Sequence, residues 1–225
     1  DLGEAMRFPL EALHTETGAE VLEAAIAYTE ALEAADRAAL FKTFAKVLAQ
    51  RNGLMATFMA KWSKDWPGQS GHLHVSLTKT MGGGSVFHDP KQKYSMSREM
   101  RWFVGGQQAL MPELLAMVAS TVNSYSRLVP GFWAPTSATW GVENRTTALR
   151  VIRGGPSSQR VEYRIAAADI NPYLALAAAI GSGLWGIEHR IEPDAPIVAN
   201  AYDREHAPQR RLPGTLLEAA ERFAA

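Results

Sequence analysis

Apolar and polar positions alternate along several short stretches of the chain, and this period-two pattern predicts β-strands. The clearest stretch is residues 71–78, which holds two histidines one residue apart. In an extended chain its side chains separate onto two faces, with His72, His74 and Ser76 on one and Leu73, Val75 and Leu77 on the other. The polar face lies either on water or on a binding site, and the spacing alone does not decide between them.

Residues 146–153 and 159–166 are two further predicted strands, separated by the turn-forming sequence Gly-Gly-Pro-Ser-Ser. In the second strand Arg160, Glu162 and Arg164 share one face. A carboxylate between two guanidiniums is typical of a surface ion-pair ladder. The same arrangement also suits an anionic, metal-bearing substrate, because the carboxylate can hold a cation while the arginines hold phosphate or carboxylate oxygens.

A period near 3.6 predicts three long helices. Residues 36–50 form an amphipathic helix that Asp36 caps, with an apolar stripe of Leu40, Phe44 and Leu48. Residues 97–119 form a helix in which Pro112 starts a second helix or produces a kink. Residues 171–190 form an Ala-rich helix with a proline near its first turn, and the glycines within it indicate close packing against a neighbour.

Three other stretches complete the pattern. Residues 20–28 fit either a strand or an Ala-rich helix, and periodicity leaves this choice open. Residues 54–62 predict a strand, and residues 127–141, which are rich in proline and glycine, predict a loop. Because strands and helices mix without a regular strand–helix–strand repeat, we expect an α+β fold.

The composition narrows the classes of function. The 225 residues carry 23 basic and 23 acidic side chains, so the zero net charge suggests neither a nucleic-acid nor a membrane partner. No apolar run reaches the length of a transmembrane helix. The chain has no cysteine, so any metal site must use histidine, aspartate or glutamate, and we expect a cytoplasmic location.

Acidic side chains cluster near the start of the chain. Glu16, Glu20 and Glu23 lie there, with His14 beside them. Carboxylates are hard oxygen ligands suited to Mg²⁺ or Mn²⁺. An acidic surface turn has the same composition, so the cluster alone leaves both interpretations open.

Arginines recur among rigid residues in the region that follows the second long helix. Arg127, Arg145 and Arg150 lie there amid proline, glycine and tryptophan, as in loops that clamp anionic or planar ligands. Together with the carboxylates and the strand histidine they suit a nucleotide, a divalent metal and an acid. Phosphoryl transfer uses this equipment, because positioning and charge neutralisation supply most of its catalysis. No Walker-type phosphate loop is present.

Five motifs in sequence order resemble the catalytic domain of the glutamine synthetase family. They are SGHLHVSL, NSYSRLVPG, ENRTTALRV, QRVEYR and DINPYLALAAAI, and the resemblance runs over about residues 14–192. It implies a curved antiparallel β-sheet backed by helices, with metals and nucleotide on the concave face. It also implies a ligase that uses ATP to convert glutamate into γ-glutamyl phosphate, which an amine nitrogen then attacks.

The same resemblance assigns roles to individual residues. Glu16 and Glu23 resemble the ligands of one Mg²⁺ or Mn²⁺ ion, and His72 and Glu162 resemble those of a second. Arg145 resembles the residue that stabilises the transferring phosphoryl group. The residues that resemble nucleotide contacts are His74, Ser76, Arg150 and Arg160. The residues that resemble glutamate-binding positions are Arg127, Arg164 and Gly71.

The loop sequence PGFWAP departs from the family pattern. In the ammonia-using members that this chain resembles, the same loop reads Pro-Gly-Tyr-Glu-Ala-Pro, and its glutamate binds and deprotonates ammonium. This chain has Trp133 in place of that glutamate. An indole cannot accept a proton from ammonium, but its face can pack against an organic amine. We therefore expect an organic amine as the acceptor. The alternatives are an ammonia-using enzyme with another base and a catalytically inactive structural paralogue.

The resemblance also implies parts of an enzyme that lie outside this chain. Residues 1–225 correspond to a partial catalytic domain, truncated at both ends, without the family's amino-terminal β-grasp domain and a strand that bears two more metal-binding glutamates. In the family, active sites form between neighbouring subunits of a ring, which implies a homo-oligomer here, a dodecamer of two hexamers. We therefore expect the isolated chain to fold but to be inactive.

Overall fold

Strands and helices alternate irregularly along the chain, as an α+β fold requires. The computed structural model describes residues 2–81, 83–132 and 134–225. Its strands are β1 Leu10–Thr15, β2 Leu22–Ile26, β3 Leu73–Val75, β4 Trp140–Val142, β5 Leu149–Ile152 and β6 Arg160–Tyr163. Its α-helices are α1 Leu2–Ala5, α2 Ala31–Arg51, α3 Arg98–Val118, α4 Val122–Arg127, α5 Pro172–His189 and α6 Leu216–Ala224. Short 3-10 turns lie at Lys93–Ser95, Ala201–Asp203 and Pro208–Arg210.

The main sheet has four strands in the order β3-β6-β5-β4. β6 pairs antiparallel with β3 and with β5, and β4 adds a parallel pair at the β5 edge. The register aligns one valine from each strand into a single row: Val75, Val161, Val151 and Val142. The first three of these are buried, so this face of the sheet covers the core and the opposite face is left for polar side chains.

Helices α3 and α5 pack closely against each other, as the glycines of α5 indicate. A Cβ at Gly183 would lie 2.2 Å from Cε2 of Phe103, and a Cβ at Gly186 would lie 2.6 Å from the Cα of Gly106. Only glycine permits this approach of the two backbones. A Cβ at Gly181 would meet no described atom within 4 Å, so the packing does not explain that glycine.

Helix α2 differs from its predicted form. It begins at Ala31, so Asp36 lies inside the helix and accepts a hydrogen bond from the Tyr173 hydroxyl at 2.6 Å instead of capping the first turn. The added turn contains alanine and leucine, which favour helix. The predicted stripe is wrong at Leu40 and Leu48, which are exposed, whereas Phe44 is partly buried and stacks on Phe8. The choice left open for residues 20–28 is settled by β2, which is a strand.

Residues 54–62 do not form the predicted strand. The main-chain groups of this segment form hydrogen bonds with a side chain and with a loop, and not with a neighbouring strand. The Lys61 amide donates to Asn123 Oδ1 at 2.9 Å, and the Asn123 amide returns a bond to the Lys61 carbonyl. The Gln69 amide donates to the Ala60 carbonyl at 2.7 Å. An apolar extended segment therefore resembles a strand in sequence even where no strand is available to pair with it.

Two further expectations change in detail. α3 runs through Pro112 as one helix, and the Gln108 carbonyl that loses its intrahelical partner lies 3.5 Å from Nη1 of Arg210. The predicted loop 127–141 ends in strand β4. The sequence pattern does not indicate this strand, because three residues are too few to show an alternation of apolar and polar side chains. Among the described helices, none is long and apolar enough to cross a membrane.

Candidate functional site

The polar face of the sheet carries a row of three polar or charged side chains. His74 on β3 pairs with Glu162 on β6, and Glu162 pairs with Arg150 on β5. The same register that aligns the valine row on the core face therefore aligns these side chains on the other. The predicted separation of faces at residues 71–78 is confirmed, because Val75 is buried and His74 is exposed.

Glu162 is the centre of a buried charge network. Its Oε2 accepts a hydrogen bond from Arg150 Nη1 at 3.1 Å, and its Oε1 accepts one from Arg164 Nη1. Oε1 also lies 3.2 Å from His72 Nδ1. Glu162 is 3% exposed and Arg164 is 5% exposed, so the interpretation as a surface ion-pair ladder is wrong for these two residues. Burying charged groups is costly unless they are paired, which makes this network unusual for a purely structural surface.

Glu143 extends the network, and the sequence motifs do not indicate its part. Its Oε2 accepts from Arg150 Nη2 at 2.6 Å and its Oε1 accepts from the Arg153 amide at 2.8 Å. Partial burial raises the pKa of Glu143, but these bonds outweigh it and hold the pKa below its ordinary value. For Arg150, burial lowers the pKa, but the hydrogen bonds to both carboxylates and their charges outweigh it and raise the pKa above its ordinary value. Arg150 is thus a cation held between two carboxylates.

The pKa values of His72 and His74 both lie below the ordinary value for histidine, which favours the neutral imidazole at pH 7. Burial, followed by the charges of Arg164 and Arg127, holds the pKa of His72 well below its ordinary value. The pKa of His74 is also lowered, because protein atoms around its ring displace water although part of the side chain stays exposed, and its Nδ1 accepts a hydrogen bond from Arg160 Nε at 3.0 Å. A neutral His72 with its proton on Nε2 turns the lone pair of Nδ1 toward Oε1 of Glu162, so the two atoms could share a cation.

A second group of polar side chains lies on the β1–β2 hairpin. The hairpin register pairs His14 with Glu23, and Glu16 lies two residues after His14. One ligand atom from each of the three residues lies within 4.8 Å of the others. Partial burial, and then the hydrogen bond and charge of Glu16, raise the pKa of Glu23. The structure therefore brings the predicted Glu16 and Glu23 together and adds His14, which the i, i+2 spacing alone could have indicated.

A divalent cation fits the hairpin cluster better than it fits Glu162. Two carboxylates that repel each other beside an imidazole form a hard donor set, and a cation would remove that repulsion. At Glu162 both oxygens already accept from guanidiniums, so a cation there would compete with the positive charges of Arg150 and Arg164 for the same carboxylate. The charge of Glu162 also raises the pKa of Glu23, which places the two groups within electrostatic reach of each other.

Of the predicted glutamate-binding residues, Arg164 belongs to the network through Glu162, whereas Arg127 and Gly71 bond to the main chain. Arg127 is 2% exposed and donates from Nη1 to the Ile165 carbonyl at 2.8 Å and from Nη2 to the Arg164 carbonyl at 3.0 Å. Burial, and then the charge of Arg164, lower the pKa of Arg127 to about 10. The Gly71 amide donates to Ala166 O at 2.9 Å. In this form Arg127 and Gly71 hold the segment after β6 that carries Arg164.

The remaining predicted residues lie at the edge of the site. Arg145 is exposed in the turn between β4 and β5, and its charge contributes to the lowered pKa of His72. Ser76 is exposed just beyond β3. The neighbouring loop residue Phe132 stacks its ring under Lys61 Nζ, 4.5 Å from the ring centroid. Trp133, the predicted acceptor-selecting residue, lies outside the described residues.

Comparisons with known proteins give one answer. The sequence model of the family described as "Glutamine synthetase, catalytic domain" matches residues 1–225. Type-1 glutamine synthetase 2 of Dictyostelium discoideum is 48% identical over 215 residues, which are 95% of this chain and 41% of the relative. The glutamate–isopropylamine ligase of a Pseudomonas species is 42% identical over 214 residues, which are 95% of this chain and 46% of the relative.

A solved structure shows the same fold. Ligand-free GmaS superposes with a TM-score of 0.88 at 32% sequence identity, covering 99% of this chain and 51% of that protein. The chain thus spans about half the length of the proteins it matches, or somewhat less. These matches confirm the family indicated by the motifs, and the chain belongs to the glutamine synthetase family through its catalytic domain.

Proposed function

We propose that this chain forms part of a ligase that joins glutamate to an amine with ATP. The terminal phosphoryl group of ATP moves to a γ-carboxylate oxygen of glutamate, which gives γ-glutamyl phosphate and ADP. The amine nitrogen then forms a bond to the acyl carbon, the bond from that carbon to the phosphate oxygen breaks, and the nitrogen loses a proton. The products are a γ-glutamyl amide and inorganic phosphate.

The buried network around Glu162 is the observation that carries this proposal. It places two guanidiniums and a neutral imidazole on one face of the sheet, where few waters compete with them. Phosphoryl transfer depends on fixed positive charge around phosphate oxygens, and such charge acts more strongly in a dry site than in water. The names of the relatives, which are glutamine synthetases and amine ligases, support the same reaction class.

Mg²⁺ or Mn²⁺ would complete the charge balance. His14, Glu16 and Glu23 would hold one ion, and His72 with Glu162 would hold a second, in competition with the arginines that bond to Glu162. When bound, such ions neutralise charge on the phosphate oxygens. The residues of the chain supply the rest: ATP would contact His74, Ser76, Arg150 and Arg160, and glutamate would contact Arg164 in the frame set by Arg127 and Gly71.

Arg145 would stabilise the phosphoryl group during transfer. Its exposed position in a turn leaves its guanidinium available, and its charge reaches His72. In the complete natural protein that carries this sequence, Arg145→Ala should lower kcat about 100-fold or more and change the KM for ATP little. Arg153→Ala is the matched control, because Arg153 is also exposed and uses only its main-chain amide in the network. An effect of Arg145→Ala on KM alone would contradict this role.

An organic amine is the proposed acceptor, and ammonia is the second candidate. Relatives named for an isopropylamine substrate and for a γ-glutamylethanolamide product support the first, and Trp133 replaces a carboxylate that would otherwise hold ammonium. Relatives named glutamine synthetase support the second. Burying two methylene groups against the indole would contribute about 1.5 kcal/mol, or about tenfold in selectivity.

The test measures phosphate release and γ-glutamyl product mass with ammonia, methylamine, isopropylamine and ethanolamine. Wild type should use an organic amine best, and Trp133→Glu should shift kcat/KM toward ammonia. A wild type that uses ammonia best would favour the second candidate. Absence of ATP turnover with every acceptor would identify an inactive paralogue. We also propose a ring-shaped homo-oligomer for the complete protein, so residues 1–225 alone should show little turnover.

A further inference from the structure

Glu143 occupies a strained backbone position directly after β4. Its φ angle is 52°, in the left-handed region that residues other than glycine, asparagine and aspartate seldom adopt. The sheet ladder continues through this residue, because its amide donates to the Val151 carbonyl at 3.0 Å. The chain then turns toward Arg145, which lies two residues later. Strained positions of this kind persist only where surrounding contacts hold them, and they cluster at functional sites.

The contacts that hold Glu143 lie at both ends of β5. Its Oε2 accepts a hydrogen bond from Arg150 Nη2 at 2.6 Å, and its Oε1 accepts one from the Arg153 amide at 2.8 Å. Arg150 is the second residue of β5, and Arg153 follows the strand directly. Because each carboxylate oxygen has its own donor, these contacts fix the orientation of the carboxylate relative to β5.

Glu143 and Glu162 hold the guanidinium of Arg150 by different nitrogens. Nη2 lies 2.6 Å from Glu143, whereas Nη1 lies 3.1 Å from Glu162, so the shorter bond belongs to the more exposed carboxylate. Shorter charge-assisted hydrogen bonds are the stronger ones. A guanidinium has two N–H groups on each terminal nitrogen, and each of these bonds uses one of them. The Arg150 side chain is 17% exposed, so part of it is open to a ligand.

We infer that Glu143 is a positioning residue for ATP, which holds the guanidinium of Arg150 in the orientation that binds the phosphates. This inference rests on the proposed function, in which Arg150 contacts ATP. Without the Glu143 carboxylate, Arg150 keeps only Glu162, which draws the guanidinium toward the buried network. Charge repulsion alone predicts the opposite effect, because removing a carboxylate beside a polyanion should tighten nucleotide binding. The sign of the effect therefore distinguishes positioning from simple electrostatics.

Calorimetric titration of ADP with Mg²⁺ into the complete natural protein measures this effect without turnover. Glu143→Gln should raise the Kd for ADP about tenfold, which corresponds to one charge-assisted hydrogen bond. Glu188→Gln is the matched control, because Glu188 is an exposed carboxylate on α5 that takes no part in these contacts. In turnover, Glu143→Gln should raise the KM for ATP more than it lowers kcat, which is the reverse of the pattern expected for Arg145→Ala.

A double-variant cycle separates the positioning of Arg150 from a purely structural role of Glu143. In the Arg150→Met background, Glu143→Gln should change the Kd for ADP by less than about twofold, because the guanidinium that it orients is gone. Arg150→Lys is a second background, because an ammonium keeps the charge but cannot bond both carboxylates in the planar geometry of a guanidinium. A structural role would carry the full loss into both backgrounds.

Two outcomes would overturn the inference. One is a Glu143→Gln variant that binds ADP as tightly as the wild type or more tightly, and the other is an equal loss with and without the Arg150 guanidinium. If no ligase activity is found with any acceptor but ADP binds and Glu143→Gln weakens that binding through Arg150, the positioning role stands and the proposed reaction fails. If ADP does not bind to the wild type, the positioning role fails.

Discussion

Replacing Glu162 should destabilise the fold far more than replacing Glu143, although both carboxylates bind Arg150. The Glu162 side chain is 4% exposed and also pairs with Arg164, whose side chain is 6% exposed. The Glu143 side chain is 43% exposed. Glu162→Gln and Glu143→Gln are therefore a matched pair that keeps shape, removes one charge and shares one partner. Burial is the main difference between them.

The magnitudes follow from the two environments. Removing one partner of a buried ion pair leaves a buried charge uncompensated, which costs about 3–5 kcal/mol. In Glu162→Gln one amide oxygen still accepts, but the amide N–H groups face a second guanidinium. An exposed pair contributes about 0–1 kcal/mol because water screens it, so Glu143→Gln should cost less than 1 kcal/mol. The double variant Glu162→Leu with Arg164→Met should recover much of the loss, since it removes both buried charges.

Urea denaturation of the 225-residue chain at pH 7 provides the measurement. With a slope of about 2 kcal/mol per molar urea, Glu162→Gln should lower the midpoint by about 1.5 M or more, and Glu143→Gln should lower it by less than about 0.5 M. Added salt of about 1 M should abolish the Glu143 effect and leave most of the Glu162 effect. Equal losses in the two variants would refute the reasoning, because they would show that burial does not set the cost of this charge.

Three other expectations test the packing, the titration and the metal cluster. Gly183→Ala should cost about 1–3 kcal/mol because its Cβ would meet a Phe103 ring atom at 2.2 Å, whereas Gly181→Ala should be neutral or stabilising; equal effects in urea denaturation would contradict the close helix contact. Burial lowers the pKa of Lys42 below 10.5, so the unfolded chain binds more protons between the folded-state pKa and 10.5 and stability should rise with pH in that window. Lys42→Met should remove that rise, and an unchanged slope would show that Lys42 does not cause it. His14→Ala should weaken Mn²⁺ binding about tenfold by calorimetry, and unchanged affinity would remove His14 from the cluster.

Local pattern was sufficient for the elements whose signal lies within a few residues. β3, β5 and β6 lie inside the stretches that alternate, and α3 and α5 occupy the stretches with helical period. The glycines of α5 indicated its close packing, and the order of motifs indicated the family. These features depend on side chains one to four residues apart, which is the distance over which periodicity is defined.

Burial was decided only by the tertiary structure. An Arg-Glu-Arg alternation has the same sequence in a surface ladder and in a buried network. Here Glu162 and Arg164 belong to a buried network, because β6 is a central strand with a paired strand on each side. On α2 the predicted stripe is exposed at Leu40 and Leu48, and the helix instead packs through Phe41 and Phe44, which both contact Phe8. Contacts of this kind come from distant segments and leave no periodic trace.

The orientation of individual site residues was decided in the same way. His14 joined the carboxylates because the hairpin register places Glu23 opposite it. Arg127 turned to the main chain because the carbonyls of Ile165 and Arg164, 38 and 37 residues away in sequence, lie within reach of its guanidinium. Residue type and order therefore predict which side chains carry chemistry, and that assignment stays a prediction. Their partners depend on the fold, because a buried charge must be paired with whatever groups the packed chain brings to it.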